Sequence, residues 1–152
     1  MLVEFNDNQK SLLVSSERVA NFVEAALNFL NVHTDHITVN FVSKKRIQEI
    51  HLALFNDPTV TDCITQPFDS YKIKKEGHFL GEVFICPLVA KTYARQHDID
   101  PYEELSLYLA HTLLHLCGLD DISEEDAHKM RLAEKKLLTH LKDKNLLLEC
   151  QR

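Results

Sequence analysis

The sequence predicts an α+β domain in which a roughly four-stranded mixed sheet packs against about five helices. Segments in which apolar and polar residues alternate indicate strands, and segments in which apolar residues recur every three or four positions indicate helices. These segments interleave early in the chain, whereas helical patterns dominate the later part. A chain of 152 residues, 45% of them hydrophobic, is long enough to bury a core. We therefore expect residues 1–152 to form one domain, with a C-terminal tail that frays from about residue 142.

The alternating pattern predicts four strands, at residues 2–6, 37–43, 61–65 and 79–86. Residues that commonly start helices precede each of the five helical segments, because a serine or aspartate side chain accepts a hydrogen bond from a free helix amide and proline tolerates the first turn. These start signals are Ser15 or Ser16, Ser43, Pro87, Asp100 with Pro101, and Ser123.

The segment from His111 to Asp121 carries the strongest functional signal. His111 and His115 are four residues apart, so on a helix their imidazoles share one face and can reach one cation, as in a zincin-like metal helix. Gly118 is suited to end that helix and turn the chain back. Asp120 and Asp121 follow the turn, where a carboxylate can complete an open zinc site.

The residue after His111 argues against a zinc peptidase. A peptidase motif of the H-E-x-x-H type has a glutamate there as general base, and this chain has Thr112, which cannot take that role. Protease activity abolished by a chelator would revive that class.

The net charge of −6 argues against a whole-surface affinity for nucleic acid, although local basic patches are compatible with it. The N-terminus lacks a signal-peptide pattern and no apolar run is long enough for a membrane span, so we expect a cytoplasmic protein without a membrane partner. The four cysteines are widely spaced and are expected to be reduced thiols. The candidate basic contacts are Lys44, Lys45, Arg46, Lys72, Lys74, Lys75, Lys91 and Arg95.

The segment 111–121 resembles the signature of the YbeY family of rRNA maturation factors, H-G-x-L-H-L-x-G-(Y/F)-D-H. Three positions depart from that pattern: Thr112 replaces the glycine, Leu119 the aromatic residue, and Asp121 the third histidine, which is a zinc ligand in the family. Two histidines with one carboxylate also form an established catalytic zinc site. The matching residues are His111, Leu114, His115, Leu116, Gly118 and Asp120.

Two further segments resemble the same family. Residues 61–67 are similar to its P-T-D-V-L-S-F-P strand, and residues 80–85 to its L-G-D-I-x-I strand, so the resemblance extends over roughly residues 50–135. The family places an arginine six residues before the T-D pair, and this chain has Phe55 there. The basic residue expected to meet a phosphate is therefore absent at that position.

The resemblance implies a zinc-dependent endoribonuclease for single-stranded RNA that matures the 3′ end of 16S rRNA and acts in ribosome quality control. It implies one Zn²⁺ per chain, held by His111, His115 and Asp121, with a zinc-bound water as the attacking group and Asp120 as a candidate proton acceptor. The alternative is a non-catalytic ribosome-assembly factor that binds rRNA or a ribosomal protein, with zinc structural or absent. Phe55 and Asp121 favour this alternative more than the full family motif would.

Other polar residues are open to two interpretations. Asp62 and Glu82 either orient a metal-bound histidine or make hydrogen bonds at a sheet edge or turn. The remaining histidines that lack a partner at ligand spacing are expected at the surface, namely His51, His78, His97, His128 and His140.

Overall fold

The computed structural model describes residues 1–150 and contains one four-stranded sheet with the order β1-β2-β4-β3. β1 and β2 are parallel, as are β2 and β4, whereas β3 is antiparallel to β4. The mixed four-stranded sheet predicted from the sequence is therefore confirmed. The strands are β1 (Leu2–Asp7), β2 (His36–Phe41), β3 (Cys63–Pro67) and β4 (Phe79–Ile85).

Five helices lie in the described part of the chain, as predicted. The side chains of Ser15, Ser43 and Ser123 each accept a hydrogen bond from the amide three residues later, and Asp100 accepts one from the Tyr102 amide. These caps satisfy amides that have no partner inside the helix, which explains why the helices begin where the sequence predicts. The helices are α1 (Ser16–Phe29), α2 (Lys44–Phe55), α3 (Pro87–His97), α4 (Pro101–Leu116) and α5 (Glu124–Asp143).

The third strand begins two residues later than predicted and ends at a proline. The predicted range was 61–65, but the ladder with β4 runs from Cys63 to Pro67. Pro67 has no amide hydrogen, and it is tolerated because β3 lies at the edge of the sheet. Within residues 1–150, one side of β3 is therefore free of strand partners.

The central helix of the fold is α4, which packs against the sheet through fully buried leucines at positions 105, 109 and 113. Gly81 on β4 allows the helix to approach closely. A Cβ atom at Gly81 would lie 2.5 Å from the Gln66 carbonyl oxygen and 2.6 Å from the Leu116 side chain. The close approach places the C-terminal half of α4 beside β3.

The C-terminal segment does not fray from residue 142, contrary to the sequence-based prediction. α5 continues to Asp143, and Leu148 then inserts into the core with 3% of its surface exposed. The Leu148 amide donates to Ser106 Oγ at 3.0 Å, and Arg18 donates to the Leu147 carbonyl oxygen at 2.8 Å. The apolar sequence at 146–148 therefore packs against α1 and α4.

His78 is buried, so the prediction that it lies at the surface was wrong. Its ring nitrogens lie 2.8 Å from Thr34 Oγ1 and 2.9 Å from the Ser70 carbonyl oxygen, and 2% of its surface is exposed. The polar partners come from residues distant in sequence, which a spacing pattern cannot show.

Within residues 1–150, none of the helices has the length and apolar character that crossing a membrane requires.

Candidate metal centre

The two histidines of α4 face each other at the end of the helix. The Nε2 atoms of His111 and His115 are 3.0 Å apart, as expected for imidazoles one helical turn apart on one face. The Asp121 carboxylate joins them: Oδ2 lies 3.6 Å from His111 Nε2, and Oδ1 lies 3.8 Å from His115 Nε2. One donor atom from each of the three residues lies within 4.8 Å of the others. The structure thus brings together the three residues that the sequence predicts as metal ligands.

A turn at Gly118 brings Asp121 back to the helix. Gly118 has φ of +97°, a conformation that disfavours residues with a side chain. The Gly118 amide donates to the His115 carbonyl oxygen, and the Leu119 amide donates to that of Leu114, so the last turn of α4 is closed. The ring of Tyr71 lies 2.5 Å from where a Cβ of Gly118 would be. Both the backbone angle and the neighbouring ring therefore require glycine here.

Each histidine is oriented through its second ring nitrogen. Glu134 Oε2 on α5 lies 2.6 Å from His111 Nδ1, and the Leu119 carbonyl oxygen lies 2.9 Å from His115 Nδ1. A carbonyl or carboxylate oxygen accepts a hydrogen bond, so in both neutral imidazoles Nδ1 carries the hydrogen and Nε2 presents a lone pair. Two lone pairs and a carboxylate then converge, which fits a divalent cation. The sequence analysis did not identify Glu134.

The electrostatics of His111 also favour a positive charge here. Burial disfavours protonation of this histidine, but the hydrogen bond and charge of Glu134, with the charge of Asp121, outweigh burial and raise the pKa of His111 above its ordinary value. The same negative groups would attract a metal ion.

The three candidate ligands line a cavity of about 660 Å³. Its walls come from the C-terminal end of α2, from β3 and from the turn that follows α4. Among the described residues, no lysine or arginine lines the cavity, so the predicted basic contacts lie elsewhere. The lining residues that bear on the chemistry are His51, Phe55, Asp62, Cys63, Thr65, His111, His115, Asp120 and Asp121.

The other predicted site residues have separate positions. Asp120 is exposed and lines the cavity, and its Oδ1 accepts from the Ile122 amide at 3.4 Å. Asp62 also lines the cavity, but its described hydrogen bonds are with Thr61 and Cys63 rather than with an imidazole.

Glu82 does not orient either of the two histidines of α4, which was one of the two interpretations of this residue. Glu82 accepts a hydrogen bond from Asn40 at 3.2 Å, and Glu134 and the Leu119 carbonyl take the positions beside the imidazoles.

His51 lines the cavity with 18% of its side chain exposed, so its prediction as an ordinary surface residue was wrong. His128, by contrast, is exposed as predicted.

Thr112 is fully buried, and its hydroxyl donates to the Leu109 carbonyl oxygen at 2.8 Å. Its side chain is therefore engaged inside the core of the fold and offers no base to the cavity, which agrees with the argument against a zinc peptidase.

The fold and the site together define a class of protein: an α+β domain that can hold a metal with two histidines from one helix and a carboxylate from the following turn. The sequence matches the family described as Endoribonuclease YbeY over residues 4–142, and the chain belongs to that family. The resemblance inferred from the motifs is thereby confirmed.

Two relatives support the assignment over nearly the whole chain. The Endoribonuclease YbeY of Protochlamydia amoebophila is 38% identical over 154 residues, which covers 98% of this chain and 99% of the relative. That of Chlamydia pneumoniae is 37% identical and covers 96% and 94%. The solution structure of a Thermotoga maritima protein shares the fold, with a TM-score of 0.61, 20% identity and 95% of each chain covered.

Proposed function

We propose that this protein is a zinc-dependent endoribonuclease that cleaves single-stranded RNA, matures the 3′ end of 16S rRNA and acts in ribosome quality control in the cytoplasm. The family assignment supports an RNA-cleaving hydrolase. The observation that carries the proposal is the convergence of two imidazole Nε2 atoms and one carboxylate in the wall of a cavity.

His111, His115 and Asp121 would hold one Zn²⁺ per chain, since two histidines and a carboxylate form a common catalytic zinc set that leaves a position open. Bound there, Zn²⁺ would polarise a phosphoryl oxygen and lower the pKa of a coordinated water. Glu134 and the Leu119 carbonyl hold the two imidazoles in the tautomer that such binding requires.

Asp120 is the proposed proton acceptor. Its carboxylate lines the cavity next to the ligand Asp121, and its Oδ1 is engaged by the Ile122 amide. Oδ2 would accept the proton that the attacking water loses, as a general base requires a position within hydrogen-bond reach of that water. The RNA partner would be small-subunit rRNA, and ribosomal proteins or ribosome-associated factors would be the protein partners.

The test is cleavage of a labelled single-stranded RNA by zinc-loaded wild type and by His115→Ala, with the matching duplex as a second substrate. We expect wild type to cut the single strand, His115→Ala to lose at least about 100-fold in rate, and circular dichroism to show an intact fold. His97→Ala is the matched control, because His97 is exposed on α3, stacked on Tyr93, and does not line the cavity.

Equal cleavage by wild type and His115→Ala would identify a contaminating nuclease and overturn the proposal. Tight RNA binding by wild type without cleavage would support the assembly-factor alternative instead.

A further inference from the structure

Phe55 lies at the C-terminal end of α2 and forms part of the wall of the metal cavity. It is a large apolar side chain with 57% of its surface exposed, although burial of a phenylalanine is favourable by about 1.5–3 kcal/mol. Two other residues of the same helix, Leu52 and Leu54, are also exposed, but neither lines the cavity. Phe55 is thus the large exposed apolar residue of α2 that lines the same cavity as the candidate metal ligands.

His51 supports the Phe55 ring from one turn earlier on the helix. The ring centroids are 5.6 Å apart with an interplanar angle of 65°, an edge-type contact that leaves ring surface uncovered. His51 is itself fixed, because its Nδ1 lies 2.9 Å from the Thr59 carbonyl oxygen and its Nε2 lies 3.8 Å from the Asp57 carboxylate. His51 therefore gives the Phe55 ring a fixed neighbour at the cavity wall.

The charges of the cavity wall limit how a nucleic acid can bind there. Three carboxylates line it, from Asp62, Asp120 and Asp121, and no lysine or arginine of the described chain does. Among the described residues, the wall offers no lysine or arginine to a phosphate, so attraction to the backbone would come from a cation held by the candidate ligands. The remaining contact is between an aromatic face and a base, which contributes about 1–3 kcal/mol per stacked base.

We propose that Phe55 is a base-stacking residue: an unpaired base next to the phosphodiester at the metal ligands packs on its ring, with His51 as the support. The inference rests on the proposed function for its substrate class, single-stranded RNA. A paired base presents no free face, so the contact also selects single strands over duplexes. Binding at the cavity then depends on the aromatic ring and on the cation, and only weakly on salt.

The experiment uses zinc-loaded protein and a pentauridylate with 2-aminopurine at its central position, whose fluorescence is quenched when the base stacks on an aromatic ring. We titrate wild type, Phe55→Ala, Phe55→Tyr and Leu54→Ala, and verify on a denaturing gel that the oligonucleotide is intact. Leu54→Ala is the matched control, because it removes an exposed apolar side chain of the same helix outside the cavity.

We expect quenching and binding by wild type, Phe55→Tyr and Leu54→Ala. We expect Phe55→Ala to lose the quenching and to bind at least about fivefold more weakly. Equal binding and quenching by Phe55→Ala and wild type would overturn the inference, and so would the absence of quenching in wild type.

A second variant tests the charge argument. Phe55→Arg should bind with a steeper salt dependence than wild type, by about 0.7 in the slope of log affinity against log salt, because it adds one phosphate contact to a single strand. An unchanged slope would mean that residue 55 does not lie beside the bound strand, which would contradict the stacking role.

Cleavage of unmodified RNA by the same proteins separates this inference from the proposed function. If wild type cleaves RNA but Phe55→Ala binds and quenches as wild type does, only the stacking role fails. If wild type binds with Phe55-dependent quenching but never cleaves, only the nuclease proposal fails.

Discussion

Glu134 Oε2 lies 2.6 Å from His111 Nδ1, although the two residues are 23 positions apart and belong to different helices. The contact joins α5 to the face of α4 that carries the two candidate histidine ligands. It fixes the tautomer of the imidazole and adds negative charge behind it, and both effects favour a cation at Nε2.

Replacing Glu134 by glutamine should weaken zinc binding by about 10- to 100-fold, because the amide keeps the shape but removes the charge behind His111. The measurement is a competition titration against a chromophoric chelator. Glu125→Gln is the control, since Glu125 lies on the same helix with 80% of its side chain exposed and pairs with Lys129 at the surface. Equal zinc affinities for the two variants would show that the 2.6 Å contact does not act on the metal.

The zinc content of purified protein tests the third ligand. We expect near-stoichiometric zinc in wild type, a large loss in Asp121→Ala, and recovery in Asp121→His, because the turn places residue 121 beside both Nε2 atoms. Elemental analysis of gently purified protein gives the ratio per chain. Little zinc in wild type with full zinc in Asp121→His would mean that Asp121 does not act as the third zinc ligand. That result would favour the assembly-factor alternative.

Gly118→Ala should destabilise the fold by about 1–3 kcal/mol more than Gly77→Ala, measured as free energies of unfolding in urea. Both glycines have positive φ, so both variants carry backbone strain. Of the two, Gly118 meets a neighbour, since a Cβ there would lie 2.5 Å from Tyr71, whereas no atom of the described residues lies within 4 Å of a Cβ at Gly77.

The zinc content of the two glycine variants should differ as well, because Gly118 forms the turn that positions Asp121. We expect Gly118→Ala to lower zinc occupancy and Gly77→Ala to leave it unchanged. Similar unfolding free energies for both variants would mean that Tyr71 moves aside without cost.

The stability of the protein should depend on the titration of Glu104, which is buried on α4. Burial disfavours its carboxylate, the charges of Asp62 and Glu134 add to this, and the hydrogen bond with Tyr108 and the charge of His97 oppose it only in part. The pKa of Glu104 therefore lies above its ordinary value of 4.5. The folded state then holds this proton more tightly than the unfolded chain does, so stability is lost as pH rises above about 4.5.

Glu104→Gln removes that titration. The free energy of unfolding of the variant minus that of wild type should accordingly increase between pH 4 and pH 7. Urea unfolding across this range gives the difference, and Glu103→Gln, an exposed acid of the same turn, is the control. A difference that stays constant or falls with rising pH for Glu104→Gln would contradict the assigned pKa direction.

The local parts of the structure could be predicted from the sequence. Helix starts at Ser15, Ser43 and Ser123 depend on hydrogen bonds within three residues, and the pairing of His111 with His115 depends only on the helical repeat. These relationships are fixed by the chain near each residue, and the structure agrees with all of them.

The remaining errors concern contacts between distant segments. Glu134 was missed because its partner lies on another helix, and no spacing rule relates the two positions. His78 was expected at the surface, and the tail near Leu148 was expected to fray. Both residues are instead buried and hydrogen-bonded to distant residues, His78 to Thr34 and Leu148 to Ser106. The edge position of β3, which allows Pro67 to end it, follows from strand order rather than from local pattern.

The three proposed ligands all lie between residues 111 and 121, on one helix and the turn that follows it. Closing so short a segment costs little chain entropy, whereas the parallel pairing of β2 with β4 joins residues more than 40 positions apart. The ligand set can therefore assemble early in folding, before the sheet is complete. Zinc would then bind partly folded chains as well as the native state. The increase in the protein's thermal stability on zinc binding should therefore be smaller than the zinc affinity of the native state alone would predict.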